Sequence, residues 1–305
     1  MPESLNSTEL NKLFHIYSDS ELTQVERNGA AFANDVYDLT DSNGLRYVMR
    51  VLKIQDPATV NLEARMQTML NIAGIRTPQY LELSDNNFVG EQNGHSFTLS
   101  RRIEGKAPTS VTTELVFDFG ATLARIHDCL RGVKILPNKM QWFNPAIAQE
   151  DLNVYDGPLK EKLVMLVGKV DVLLSSGLPE AVIHGDLWLS NTFAENDRVT
   201  AVFDFETAQN TARIIDLART YTSMRRETDF PAQKIIDQLI EGYDSAANIP
   251  LTQIEKDKLK LAIAYVSGVV AAWHAANGTG YVATYIEIGE EALGVKNRVR
   301  KFNSI

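Results

Sequence analysis

The hydrophobic positions change period several times along the chain. Near the N-terminus Leu10, Leu13 and Phe14 recur at helical spacing across Glu9 to Ile16. Alternation then takes over, and Leu22 to Glu26, Val36 to Leu39 and Arg46 to Leu52 each read as strands. The sequence Asp41-Ser42-Asn43-Gly44 between the last two has the composition of a hairpin turn. Leu62, Met66, Met69 and Leu70 restore helical spacing over Thr59 to Ala73, which Gly74 closes, and Tyr80 to Leu83 and Ser96 to Ser100 supply two more strands. Residues 1–103 therefore predict an antiparallel sheet of five strands with a packed helix. The remainder, 104–305, reads as mainly helical: Leu115, Phe119, Leu123 and Ile126 lead to His127, and Leu159 to Ser175, Ala232 to Tyr243, Thr252 to Ala275 and Tyr281 to Leu293 follow. Trp142 to Tyr155 reads as irregular, with Asn144-Pro145 and Asp156-Gly157-Pro158 as turns. The fold class is α+β.

One window in the second half breaks the helical pattern. A short apolar run, Ala181 to Ile183, delivers His184-Gly185-Asp186, Asn191 follows five residues after Asp186, and a second run, Val199 to Phe203, delivers Asp204-Phe205-Glu206. An acid at the end of a strand has its backbone fixed and its carboxylate exposed in the loop. The spacing matches a phosphoryl-transfer centre, in which one Asp takes the proton of the acceptor hydroxyl, an Asn five residues on binds Mg²⁺, and a second Asp, opening a D-F-x triplet, holds the metal. Those positions are Asp186, Asn191 and Asp204. A bare pair of strands joined by a polar turn would not require the three to recur at these intervals.

His184-Gly185-Asp186-Leu187 with Asn191, then Asp204-Phe205, then Asp216-Leu217-Ala218, resembles the aminoglycoside phosphotransferase and choline kinase superfamily of small-molecule kinases. The resemblance implies a bilobal protein-kinase-like fold, with a nucleotide-binding lobe over 1–103 that ends in the hinge and a helical lobe over 104–305 with the catalytic loop and acceptor pocket. It also implies ATP and Mg²⁺ as cofactors and a small-molecule acceptor. Protein kinases show H-R-D and D-F-G where this chain has His184-Gly185-Asp186 and Asp204-Phe205-Glu206, so Glu206 argues against a protein substrate. A protein kinase and a nucleotide-binding regulator without catalysis are the alternatives.

The same resemblance places other residues. Tyr47-Val48-Met49-Arg50 lines up with the strand that carries the ATP-contacting lysine, so Val48 would floor the adenine and Arg50, on the same face, would reach the phosphates, with Lys53 as the competing cation. Glu63 would pair with Arg50. The small residues Gly29 and Ala30, with Ala31 and Ala33, would let backbone amides cover the phosphates. Asp216 would accept backbone hydrogens from the catalytic loop, while His127 and His184 would support structure. Trp188, Trp273 and Tyr281 would line the acceptor pocket with Glu206 as the nearest acid. Aromatic faces beside a carboxylate suit an acceptor that carries an amine as well as a primary hydroxyl, but sugars stack on such rings too, so an amino alcohol, a sugar or amino sugar, homoserine and an aminoglycoside-like compound all stay open.

Composition narrows the partners. Hydrophobic residues make up 44% and charged residues 23%, enough for a large core. The net charge of −9 disfavours nucleic acid and anionic membrane, both of which reward clustered Lys and Arg. Cys129 is the single cysteine, expected in the core, and excludes an intrachain disulfide. The opening residues MPESLNSTEL lack the pattern of an export signal, and the apolar run Leu261 to Trp273 is interrupted and too short to cross a bilayer, so a cytoplasmic location is expected.

Overall fold

The computed structural model describes residues 5–28 and 34–295. Two compact units divide the chain, Met1–Glu104 and Gly105–Ile305.

The first unit is built on an antiparallel sheet. Helix α1 (Ser7–Phe14) starts at Asn6, whose side chain accepts from the Glu9 amide while the Glu9 carboxylate accepts from the Asn6 amide. Strands β1 (Leu22–Asn28), β2 (Asn34–Asp41) and β3 (Arg46–Leu52) follow, then helix α2 (Pro57–Ile72) and strands β4 (Gln79–Tyr80), β5 (Val89–Gln92) and β6 (His95–Arg101). The sheet runs β1-β2-β3-β6-β4, with β5 also paired to β6. Alternation along β3 sends Tyr47, Met49 and Val51 into a core shared with Leu10, Leu13, Phe14, Phe97 and Leu99, and leaves Val48 and Arg50 on the other face. The sheet thus has six strands, not five. The extra strand, β5, is only four residues long, and its Gly90 lies where a Cβ would come 2.9 Å from the Phe97 ring. The hairpin to β6 turns through Asn93 and Gly94, both at positive φ.

The second unit is mostly helical. Its helices are α3 (Thr113–Cys129), α4 (Pro145–Val154), α5 (Lys160–Val167), α6 (Val170–Leu174), α7 (Ile214–Glu227), α8 (Ala232–Ala246), α9 (Gln253–Ala276) and α10 (Val282–Ala292). Two small antiparallel ribbons interrupt them: β7 (Glu180–Ile183) pairs with β10 (Gln209–Ala212), and β8 (Thr192–Glu195) with β9 (Arg198–Val202). Three expectations are corrected here. The stretch read as irregular contains α4, because Asn144 caps the Ala146 amide and Pro145 supplies a first helical residue that needs no hydrogen-bond donor. The helix read over Leu159 to Ser175 is two, ended at Gly168 and restarted at Val170. Cys129 closes α3 half-buried and unpaired, not in the core. Helix α9 is long and apolar enough to cross a membrane, yet 67% of its apolar window is buried inside the protein.

Helices α3 and α8 cross at glycines. A Cβ on Gly242 would lie 1.9 Å from the Phe117 carbonyl oxygen, and one on Gly120 would lie 2.3 Å from that of Leu239. This crossing brings the Tyr243 hydroxyl within 2.9 Å of His127 Nδ1. The obstruction is backbone against backbone, so no side chain can yield. Gly242→Ala is expected to cost about 3 kcal/mol, the upper end of overpacking penalties, measured by urea unfolding. Gly280→Ala, where a Cβ meets nothing within 4 Å, should stay close to the parent.

Candidate active site

The window from His184 to Asp216 is tied together by its own backbone. Strand β7 ends at Ile183, and Gly185 takes φ +83, where a Cβ would lie 2.8 Å from the Thr207 carbonyl oxygen. Only glycine fits there. The Thr207 hydroxyl donates to the His184 carbonyl at 3.0 Å, and the Phe203 amide donates to the Asn191 carbonyl at 3.1 Å. His184 is wholly buried against the Phe205 ring, with centroids 4.3 Å apart. Its Nδ1 accepts from the Asp186 amide, so Nε2 donates to the Phe203 carbonyl at 3.1 Å. Burial pushes its pKa below the usual histidine range and keeps the ring neutral.

Asp216, in the first turn of α7, is completely buried. Its Oδ2 accepts from the His184 amide at 2.7 Å and from His127 Nε2 at 2.9 Å, and its Oδ1 accepts from the Gly185 amide at 2.8 Å. Burial alone would raise the carboxyl pKa, but the hydrogen bonds from His127 and the Gly185 amide hold it below the usual carboxylate range. The backbone contact expected of Asp216 is present, and His127 completes it.

The sequence candidates converge in part. Asn191 sits in a 3₁₀ turn, Leu189–Asn191, and its Nδ2 donates to Asp186 twice, to the carbonyl at 3.0 Å and to Oδ2 at 3.1 Å. Asp204 follows β9 at φ +73, the left-handed region that Asp tolerates better than most residues. Glu206, half-buried, lies two residues on. Within the first unit, Arg50 meets Glu63 through both terminal guanidinium nitrogens, Nη1 to Oε1 at 2.8 Å and Nη2 to Oε2 at 2.9 Å. Tyr80 bridges the pair, accepting from Arg50 and donating to Glu63, and Gln67 donates to the same carboxylate at 3.0 Å. Lys53 instead pairs with Asp35 at 2.8 Å. Gly29 and Ala30, with the rest of the expected phosphate-covering loop, lie outside the described residues.

Three site residues escaped the sequence reading, and all are cationic or titratable. Arg219 reaches Asp186 Oδ1 at 2.5 Å. Arg226 places its guanidinium carbon 5.2 Å from the Trp188 ring centroid, 5.1 Å from that of Tyr281 and 6.0 Å from that of Tyr285. His274 stacks on Tyr285 at 5.3 Å. The available signal was spacing on α7: Asp216, Arg219, Ser223 and Arg226 follow one another at three- and four-residue steps, which puts them on one face of a helix. The face expected to receive the acceptor's amine therefore already carries the protein's own cation. Trp273 stacks on Trp142, with ring centroids 5.4 Å apart.

The model of the phosphotransferase enzyme family APH matches residues 24–249. A homoserine kinase from Neisseria meningitidis serogroup B is 23% identical over 260 residues, which cover 83% of this chain and 83% of that protein. An amicoumacin kinase solved with AMP-PNP, Ca²⁺ and Ami superposes with a TM-score of 0.73 at 14% identity, over 94% of each chain. A choline kinase from Cryptosporidium parvum Iowa II gives 0.62 at 13% identity, over 90% of this chain and 89% of that one. These structures share the α+β architecture expected from the sequence, an antiparallel sheet followed by helices. With the family model covering most of its length, the chain belongs to the APH phosphotransferase family and is a small-molecule kinase with a hydroxyl acceptor.

Proposed function

We propose that the protein transfers the γ-phosphoryl group of ATP to a hydroxyl of a small molecule, with Mg²⁺ as the metal and the cytoplasm as its place of action. The observation that carries this reading is the coupling of Asp186 to Asn191. Because Asn191 donates through Nδ2 to Asp186, it offers its amide oxygen, the atom a hard cation takes. Among the described residues no group of three or more His, Cys, Asp or Glu is placed to hold a metal by itself. Asn191 and Asp204 would thus supply two oxygens, in keeping with the preference of Mg²⁺ for a few protein ligands completed by phosphates and water. Bound there, the ion would neutralise charge on the phosphates.

The chain's own residues do the rest. Asp186 orients the acceptor hydroxyl and takes its proton as the hydroxyl oxygen bonds to the γ-phosphorus; the bond from phosphorus to the bridging oxygen breaks and ADP leaves with that electron pair. Arg219 and Asn191 each engage one oxygen of Asp186 and fix its direction. Each carboxylate oxygen keeps a further lone pair for the proton. Arg50, locked by Glu63, would contact the phosphates with a fork that needs little further ordering, and Val48 on the same strand face would meet the adenine. Catalysis on this reading is positioning and charge neutralisation.

Asp186→Asn is expected to lower kcat by roughly 10²–10⁴-fold, the range for loss of a general base, with little change in nucleotide affinity by calorimetry; retention of most activity sinks the assignment. Asp204→Ala should abolish the tightening of ATP binding by Mg²⁺, read in the same titration with and without the metal, and equal tightening would transfer the ligand role to another acid. Arg50→Ala should raise KM for ATP more than KM for the acceptor, while Lys53→Ala leaves both near the parent values. The reverse ranking of the two would place the phosphate cation at Lys53.

A further inference from the structure

The kinase reading leaves the acceptor open, and the cations near Asp186 narrow it. Arg226 is held in place without being neutralised from inside the site. Its Nη1 donates to the Tyr285 hydroxyl at 3.1 Å, and the described acid it pairs with is its neighbour Glu227, at 2.7 Å, whose side chain is 37% exposed. Three aromatic rings within about 6 Å fix the guanidinium and attract it by their faces. By contrast Arg225, the next residue along, is spent on a two-pronged pair with Glu291.

Arg219 is 5% exposed, and its Nε has no hydrogen-bond partner among the described residues. Its Nη1 donates to the Ser223 hydroxyl and its Nη2 meets Asp186. A buried guanidinium N–H left without an acceptor is costly, which points to an acceptor that arrives with a ligand. His274, packed among the same rings, reports the local field: burial first, then the charges of Arg219 and Arg226, push its pKa down to about 4. An amine placed beside it would meet the same two positive charges and would have to displace Arg226 from the rings.

We propose that the acceptor carries a carboxylate as well as its hydroxyl, and that Arg226 and Arg219 hold this carboxylate while Trp188, Tyr281 and Tyr285 fix Arg226. The inference rests on the kinase reading above, which places the hydroxyl at Asp186. Arg219 touches Asp186, and Arg226 lies two helical turns further on, ~10 Å along α7 at 1.5 Å per residue. Because Arg219 itself touches Asp186, a carboxylate that it shares with Arg226 lies close to the hydroxyl, so the acceptor is a small hydroxy acid or hydroxy amino acid of a few carbons. Arg226 is thereby a specificity residue, and Arg219 both positions Asp186 and contributes to the anion site.

The test uses the full chain and matched probes: 4-hydroxybutyrate, L-serine and L-homoserine, each beside its own primary amide, with 3-amino-1-propanol and choline as alcohols that carry only a cation. Coupled ADP release should give a kcat/KM at least tenfold higher for acid than for amide. Arg226→Gln should erase that preference, and Arg226→Lys, which keeps the charge without the planar fork, should restore part of it. A second arm follows tryptophan fluorescence with AMP-PNP present, where acids should saturate the signal in the parent and fail to do so in Arg226→Gln. Better use of the amides or of the amine-only alcohols, an unchanged preference in both variants, or no acid that saturates the fluorescence would overturn the inference. If ATP is consumed with none of the acceptors while acids still saturate the signal through Arg226, the anion site stands and the kinase reading falls.

Discussion

A fully buried carboxylate is the constraint from which the second unit is organised. Asp216 can stay charged away from water only because two backbone amides and the His127 imidazole donate to it. Each donor makes a demand. The amides of His184 and Gly185 must point the same way, which the left-handed backbone at Gly185 permits. His127 must sit at the end of α3 with its other nitrogen on Tyr243, and that requires α3 and α8 to approach until only glycine fits at their crossing. Asp186 is therefore aimed by a chain of contacts that begins in the helical core.

The first unit solves a comparable problem with a different group. Arg50 and Glu63 are paired by two hydrogen bonds, and Tyr80 and Gln67 complete the carboxylate's partners. Glu63 is 2% exposed, so removing either partner would leave a buried charge, which is strongly destabilising. The pair spans strand β3 and helix α2 and fixes their register, and the same arginine faces away from the apolar core beneath the sheet.

What the sequence made legible was local. Asp186, Asn191 and Asp204 stand at short fixed spacings, and β3 shows its alternation without help, so the candidate window and the two-sided strand carrying Arg50 could both be located directly. The strand β5 could not, since four residues with an internal glycine have no pattern of their own and pair only because β6 offers an edge. Helix α4 was hidden because Asn-Pro marks a turn and a helix start equally well. The division at Gly168 is local too, but its apolar spacing on either side disguised it. Arg219 and Arg226 look like ordinary solvated charges in sequence. The setting of Arg226 depends on Trp188 meeting Tyr281 and Tyr285, at the start of a distant helix, around one guanidinium, and no spacing rule encodes such a meeting.

Helix α7 carries two kinds of information on a single face. Its first turn, at Asp216, braces the loop that carries Asp186, whereas its last, at Arg226, meets side chains drawn from α10 and the turn before it. The brace is enclosed by backbone and cannot drift without loss of the fold. The far end is bounded by side chains, and Tyr281 among them is 42% exposed. If α7 serves the site as proposed, inheritance of the reaction and inheritance of the acceptor are separable along its 14 residues: the distal positions could be exchanged to admit another molecule while the proximal ones keep the brace intact.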